Sequence, residues 1–319
     1  MFDNVKKKVL LVGASQMAVD YLKVLDALNI ETVIIGRGET SALNFFEKTG
    51  KQVIKGGLEN YLNSDFENNF DAAILAVGLE ELALSATQLM MHGFKKILVE
   101  KPAAMSQTEI KNISELCESV GAEIFVAYNR RFYSSVQKAL EIIKEDGGVS
   151  SFNFEFTEWS HTIEPLEKKV GIKENWLIGN SSHVIDLAFF LGGSPKEIKS
   201  FASGELSWHD KSIFCGAGVS QTGSLFSYQA NWEAPGRWAV EILTKSSRLI
   251  FKPMEELHIQ KKGSVAINKV EIDDELDKKF KPGLYLQTLN FILGNYSQFK
   301  TIQEQEKMFE VFLKIAKGN

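Results

Sequence analysis

Gly13-Ala14-Ser15-Gln16-Met17-Ala18 ends an apolar run, Val9–Val12, and opens a helical pattern. A turn of this kind aims free backbone N–H groups and the positive end of a helix at a phosphate, which is how dinucleotide pyrophosphates are held. Gly13 can make the tight turn, Ala18 is small enough for close helix–strand packing, and Gln16 and Met17 fill the first helical turn. Ser15 stands where a middle glycine would let the backbone approach the phosphates, so the fingerprint is imperfect. A βα turn with no ligand is the plain alternative. The second strand ends in Ile35-Gly36-Arg37, where an Asp or Glu would hold a ribose 2′-hydroxyl. Arginine suits a 2′-phosphate instead, because its planar fork pairs with phosphate oxygens. The cofactor expected is therefore NADP rather than NAD. Glu39 is a late ribose acceptor that would reverse this, and a solvated loop charge is the plain alternative for Arg37.

Two further groups could move protons. Val99-Glu100-Lys101-Pro102-Ala103 closes a strand, and Val77 closes the strand before it, at the carboxyl edge where open α/β sheets bind ligands. Lys101 can donate to a substrate hydroxyl or carbonyl, and desolvation beside a positive nicotinamide would ease its proton exchange. Alone, Glu-Lys-Pro is more often a surface turn. His183, Asp186, Leu187 and Phe190 share one helix face, with Ser181 or Ser182 as N-cap and Gly192-Gly193 as stop. A lone histidine near a helix start is more often structural than catalytic. Asn129, Arg130 and Arg131 follow the last strand of the first half, and one arginine could anchor an anionic sugar, a phosphate or a nucleotide. Pairing with Asp or Glu is the alternative at even weight. Trp159, Trp176, Trp232 and Trp238 could stack on sugar faces or fill the core, and no role is assigned to them.

Strand-like runs at Val9–Val12, Thr32–Ile35, Ala72–Val77, Ile97–Val99 and Ile124–Ala127 are apolar on both faces and alternate with helical patterns. They predict a doubly wound parallel sheet, a Rossmann domain, over residues 1–125. One of its helices opens with Ser106-Gln107-Thr108-Glu109, a capping-box sequence. From about Asn129 the pattern changes. Runs at 151–159, 201–206, 224–232, 239–244, 248–251 and 257–261 alternate or read as strands, with helices at 182–191, 284–293 and 302–316. They predict an α+β domain over 126–319, with an open, mostly antiparallel sheet covered on one face.

The chain has 319 residues, 44% hydrophobic and 24% charged, which is ordinary for a globular protein of two domains. A net charge of −5 gives no basic face for nucleic acid. No run reaches the roughly 18 apolar residues of a membrane span, and the apolar run near the start is too short for a signal core. Cys117 and Cys215 are far apart, which argues against a disulfide framework and for a reducing, cytoplasmic setting. His161 and His209 lack metal-ligand spacing, so no metal is expected.

In order and spacing the motifs FDAAILAV, ILVEKPAA, AYNRRF and GNSSHVIDLAFFLGG resemble the Gfo/Idh/MocA family across nearly the whole chain. The Glu-Lys-Pro strand end and the later His-x-x-Asp helix are the specific part. The resemblance implies NAD(P)-dependent hydride transfer at an alcohol or ketone carbon of a sugar, sugar phosphate, nucleotide sugar or polyol. It implies Lys101 and His183 as catalytic groups and a second domain that carries the substrate. Lys101, Tyr128, Arg130, Asn180 and His183 are the candidate substrate contacts; Gly13, Ser15, Gln16, Met17, Gly36, Arg37, Val77, Glu100 and Lys101 are the candidate cofactor contacts. One departure stands out: many members carry an aspartate four residues before the histidine, and this chain has Gly179 there, followed by Asn180. Lys101 and His183 could suffice; Tyr128, Glu158 or Tyr133 could supply the proton; or the chain could be a degenerate member that senses the dinucleotide. A reductase of a non-sugar carbonyl is a rival of the same fold. The resemblance and the half-covered sheet together imply a homodimer or homotetramer, which light scattering would contradict by showing a single-chain mass.

Overall fold

The computed structural model describes residues 7–64 and 66–318. In chain order the elements are β1 (Lys8–Val12), α1 (Gln16–Ala27), β2 (Glu31–Ile35), α2 (Glu39–Thr49), α3 (Gly57–Leu62), β3 (Ala72–Leu75), α4 (Leu82–Met91), β4 (Lys96–Glu100), α5 (Gln107–Val120) and β5 (Glu123–Ala127). Next come α6 (Ser134–Glu145), β6 (Ser151–Glu155), α7 (Ser160–Ile163), α8 (Ser182–Gly192), β7 (Pro195–Ser203), β8 (Ile213–Ser220), β9 (Leu225–Asn231), β10 (Ala239–Leu243), β11 (Ser247–Phe251), β12 (His258–Lys261) and β13 (Ile267–Lys269). The chain ends in α9 (Glu275–Lys279), α10 (Leu284–Leu293), β14 (Lys300–Thr301) and α11 (Ile302–Lys317). It divides into two compact units, one running through Asn129 and taking back Asp277–Lys307, the other holding Arg130–Leu276 and the residues from Met308 on.

The first unit is built on a six-stranded sheet in the order β14-β5-β4-β3-β1-β2, parallel except for the antiparallel edge strand β14. Its central strands β1, β3 and β4 are buried almost end to end, as a sheet covered on both faces requires. The buried side chains of α1 are Ala18, Tyr21, Leu22, Val24 and Leu25, which dock that helix behind the Gly13 turn. The Ser106 capping box forms: Ser106 Oγ accepts from Glu109 N at 3.2 Å while Ser106 N donates to Glu109 Oε2 at 3.0 Å. It sets where α5 begins, and so how much chain the Glu-Lys-Pro turn has.

The second unit holds an eight-stranded sheet in the order β13-β12-β11-β10-β6-β9-β8-β7. Every pairing is antiparallel except β6 with β9. Buried α8 lies on its centre, where Phe189 meets Phe152, Phe154 and Phe226 edge-on. Gly192 lets the helix sit this low, because a Cβ there would collide with the Phe152 ring. The other face alternates outward and leaves Phe201, Ile213 and Leu225 exposed.

Several strands differ from the sequence expectation, and β13 and β14 were not expected. The strand expected at 201–206 runs instead over Pro195–Ser203, and its partner β8, with the sequence IFCGAGVS, was not expected at all. Gly216 and Gly218 weaken the β pattern of that run. They are there because a Cβ at either position would strike the β7 backbone and the Tyr228 or Phe226 ring.

Candidate active site

A groove of about 530 Å³ opens at the carboxyl edge of the parallel sheet, lined by the Gly13–Ser15 turn, Ile35–Gly38, Gly56–Asn60 and Ala76–Gly78. Gly13 has φ +128°, and a Cβ there would collide with the Ala76 carbonyl, so only glycine passes the chain from β1 to α1 this closely to β3. Ser15 is the N-cap residue of α1 yet makes no cap hydrogen bond; its hydroxyl leans on the Ala76 carbonyl at 3.4 Å. The first-turn N–H groups therefore keep their capacity to bind an anion. Gly13, Ser15, Gly36, Arg37 and Val77 all line this groove. Gln16 and Met17 stand in the first turn of α1 outside the lining, and Gln16 is engaged with Asp20 and Lys48. Arg37 reaches Glu81 in an exposed ion pair at 2.8 Å.

In the same unit, β4 ends at Glu100 and turns through Lys101-Pro102-Ala103. The buried side chain of Gln305, from α11, pins that turn by donating to the Pro102 carbonyl at 3.1 Å and to Tyr128 Oη at 3.0 Å. Ala103 is held at φ +73°, a left-handed conformation that costs a non-glycine residue about 1–3 kcal/mol and persists only where packing enforces it. Tyr128 is buried, so its hydroxyl serves the turn through Gln305. Glu100 accepts from Tyr21 Oη at 2.8 Å. Burial pushes the Glu100 carboxyl above its ordinary range, against the pull of Lys101, Tyr21 and Lys281.

The second unit carries its own polar cluster. A single π-helical turn, Leu177–Ser181, leads into α8. Such turns re-aim side chains and recur at functional sites. Here Asn180 Nδ2 (2.9 Å) and Ser181 Oγ (2.7 Å) converge on one oxygen of Glu158, and Arg237 Nη1 lies 3.4 Å from the other. Glu158 is buried just beyond β6. Glu158 thus places a carboxylate beside Asn180 from 22 positions away in sequence. His183 is nearly buried, with its ring 6.2 Å from Trp238. Asp186 is committed elsewhere: Arg131 grips it through two hydrogen bonds of 2.7 and 2.8 Å, both side chains buried. Arg130 has no such partner and stacks on Trp238 at 4.8 Å. Arg237, which sequence reasoning missed, had no signal beyond its place beside Trp238.

Residues 7–128 match the profile of a family described as Oxidoreductase family, NAD-binding Rossmann fold. The match to this Gfo/Idh/MocA family covers the N-terminal domain. No curated protein matches the chain in sequence. Among solved structures, the chain is similar to a putative NADPH-dependent oxidoreductase from Desulfitobacterium hafniense, with a TM-score of 0.77 and 17% identity over 99% of this chain and 95% of that one. It is similar to a levoglucosan dehydrogenase in complex with NADH, with a TM-score of 0.79 and 16% identity over 97% and 95%. It is also similar to the UDP-N-acetylglucosamine 3-dehydrogenase of Acidithiobacillus ferrooxidans, with a TM-score of 0.74 and 11% identity over 98% and 97%. Likeness at these identities shows a shared fold.

Arg37 stands at the end of β2 in an exposed ion pair with Glu81. Such a pair is worth about 1 kcal/mol or less, so it would yield to a 2′-phosphate dianion. Replacing Arg37 by Ala is expected to weaken NADPH binding by about 10- to 100-fold, one to two decades at roughly 1.4 kcal/mol each, and to change NADH by less than about threefold. Titration calorimetry with both dinucleotides reads this, and an equal loss for both would assign Arg37 to the adenine or ribose instead.

Proposed function

We propose that the chain is an NADP(H)-dependent oxidoreductase of the cytoplasm that interconverts an alcohol and a ketone on a sugar, sugar phosphate, nucleotide sugar or polyol. The observation that carries this is Lys101, locked into the turn at the carboxyl edge of the dinucleotide-binding sheet by Gln305 and the strained Ala103. The groove fits a dinucleotide: a glycine turn with an uncapped helix end for the pyrophosphate, and a guanidinium at the end of β2 for the 2′-phosphate. When bound, the dinucleotide accepts or supplies a hydride at nicotinamide C4. Lys101 holds the reacting oxygen and exchanges its proton. In the second unit, His183 and Asn180 bind substrate hydroxyls, and Glu158 holds Asn180 and Ser181 in place. A second copy of the chain is proposed to cover the outer sheet face that exposes Phe201, Ile213 and Leu225.

Burial pushes the Glu158 carboxyl above the ordinary carboxylate range, against the hydrogen bonds of Ser181 and Asn180 and the charge of Arg237. Folded protein therefore binds this proton more tightly than unfolded chain. Its contribution to stability is greatest at low pH and fades as pH rises through the folded value. Turnover is expected to run the other way, because the ionised carboxylate accepts more strongly from Asn180 and Ser181 and pairs with the Arg237 cation. Glu158→Gln is expected to lower kcat/KM roughly a hundredfold and to shift the acid limb of its pH profile to lower pH. A limb that stays in place would belong to another group.

The overall proposal is tested by incubating the full chain with sugars, sugar phosphates, nucleotide sugars and polyols, with NADP and with NAD, while following nicotinamide absorbance. Turnover of at least one class is expected. Tight dinucleotide binding with no turnover across all classes would make the chain a sensor instead.

A further inference from the structure

Arg130 and Arg131 are adjacent, and the second unit treats them in opposite ways. Arg131 is neutralised by Asp186 through a bidentate ion pair. The Arg130 side chain makes no ion pair and no hydrogen bond among the described residues, and its Nε is shut off from solvent without a partner. A guanidinium carries five N–H donors in a fixed fork, and desolvating it without an acceptor is unfavourable. Aromatic faces compensate in part. Arg130 lies over Trp238 at 4.8 Å and over Tyr133 at 5.9 Å. Arg237 lies over the same Trp238 at 4.9 Å and over Trp159 at 4.8 Å. Rings and guanidinium groups thus alternate as Trp159, Arg237, Trp238, Arg130 and Tyr133.

Stacking fixes where the two forks stand but satisfies none of their N–H groups. The one buried carboxylate nearby, Glu158, already accepts from Asn180 and Ser181 and faces Arg237. Two cations therefore meet across one indole, and among the described residues neither is held by a bidentate carboxylate. Burial also pulls the Arg130 guanidinium down from its ordinary range, and Arg237 adds to the lowering, against Tyr133, Glu255 and Glu158. What such a ladder lacks is an oxyanion with two acceptor oxygens, the geometry that a carboxylate or a phosphate presents to arginine.

We propose that Arg130, with Arg237 across the Trp238 ring, binds the carboxylate or phosphate of an anionic substrate in the second unit. This rests on the second unit being the substrate-binding one. It narrows the substrate from carbohydrates in general to sugar acids or phosphorylated sugars, and leaves neutral sugars and polyols as poor ligands.

The test is binding to the full-length chain, without dinucleotide and in phosphate-free buffer, by calorimetry and by quenching of tryptophan fluorescence. The probes are glucuronate, glucose 6-phosphate and glucose, which share a ring and differ in charge. At least one of the two anions is expected to bind ten times or more tighter than glucose. Preference for glucuronate assigns a carboxylate source, and preference for glucose 6-phosphate a phosphate source. Arg130→Gln is expected to remove the preference, Arg130→Lys to keep part of it, and Arg237→Gln to weaken it. The melting temperature of Arg130→Gln should be unchanged or higher, since the variant removes a half-buried cation that makes no ion pair among the described residues. A merely structural Arg130 would instead lower the melting temperature and leave the anion preference intact in the lysine variant. Equal binding of all three probes, or anion binding untouched by Arg130→Gln, overturns the proposal. Turnover of neutral sugars without anion preference would sink this inference and spare the oxidoreductase. Anion binding through Arg130 with no turnover of any panel member would do the reverse.

Discussion

Replacing Lys101 by Ala lowers kcat about a thousandfold while the dissociation constant for the dinucleotide moves by less than about threefold. The size follows from the work assigned to this side chain. Proton transfer by a positioned group contributes about 10²–10⁴ in rate, or roughly 3–5 kcal/mol at 1.36 kcal/mol per decade. The separation from binding follows from the structure. The groups that would hold phosphates line the groove at Gly13–Ser15 and Arg37, and the Glu-Lys-Pro turn is outside that lining. The fold survives the change because the turn is fixed from behind, by Gln305 on the Pro102 carbonyl and by the capping box that starts α5. Rapid-mixing kinetics and calorimetry on the same preparation separate the two quantities. A parallel loss of dinucleotide affinity would make Lys101 a cofactor anchor, and full activity would remove it from the chemistry.

The second large effect is on stability. Asp186→Asn is expected to destabilise the second unit by about 3–5 kcal/mol, because it leaves the Arg131 guanidinium buried and uncompensated. For a cooperative unit of this size that is a fall in Tm of roughly 10 °C. Both side chains are buried, the pair is bidentate, and Arg131 also lies 4.6 Å from the Phe190 ring, so no water is at hand to replace the lost charge. Replacing both residues with apolar ones, Arg131→Met with Asp186→Leu, should recover most of the loss, since a buried ion pair is rarely worth more than the packing that replaces it. Thermal unfolding of the two single variants and the double variant measures this. A single variant as stable as the parent would mean the site is wetter than it looks.

The second effect divides a motif that reads as one in sequence. The His183-x-x-Asp186 spacing puts both side chains on one helix face, and the Gfo/Idh/MocA resemblance matches both positions. The structure gives Asp186 to Arg131. Nothing in the spacing could show this, because the pairing depends on how the segment after β5 folds back onto α8. The parallel sheet was legible because its strands are apolar on both faces and each helix carries an apolar stripe. The start of α5 was legible because a capping box is local. Strand β8 was not, because its glycines answer to contacts with β7 and with Tyr228 and Phe226. Glu158 could be named only as one of several acids, since its link to Asn180 and Ser181 passes through a π-turn that has no sequence signature. Arg130 and Arg131 were indistinguishable until the ion pair separated them.

Direct hydride transfer is the central step of the proposed reaction. The decisive measurement is label transfer from reduced dinucleotide carrying deuterium at both nicotinamide C4 positions to whichever panel carbonyl the full chain consumes, read by mass spectrometry of the product. One deuterium per product molecule, on the new carbinol carbon and lost with Lys101→Ala, is the predicted result. Product without deuterium, or dinucleotide bound tightly with no carbonyl consumed, would contradict it.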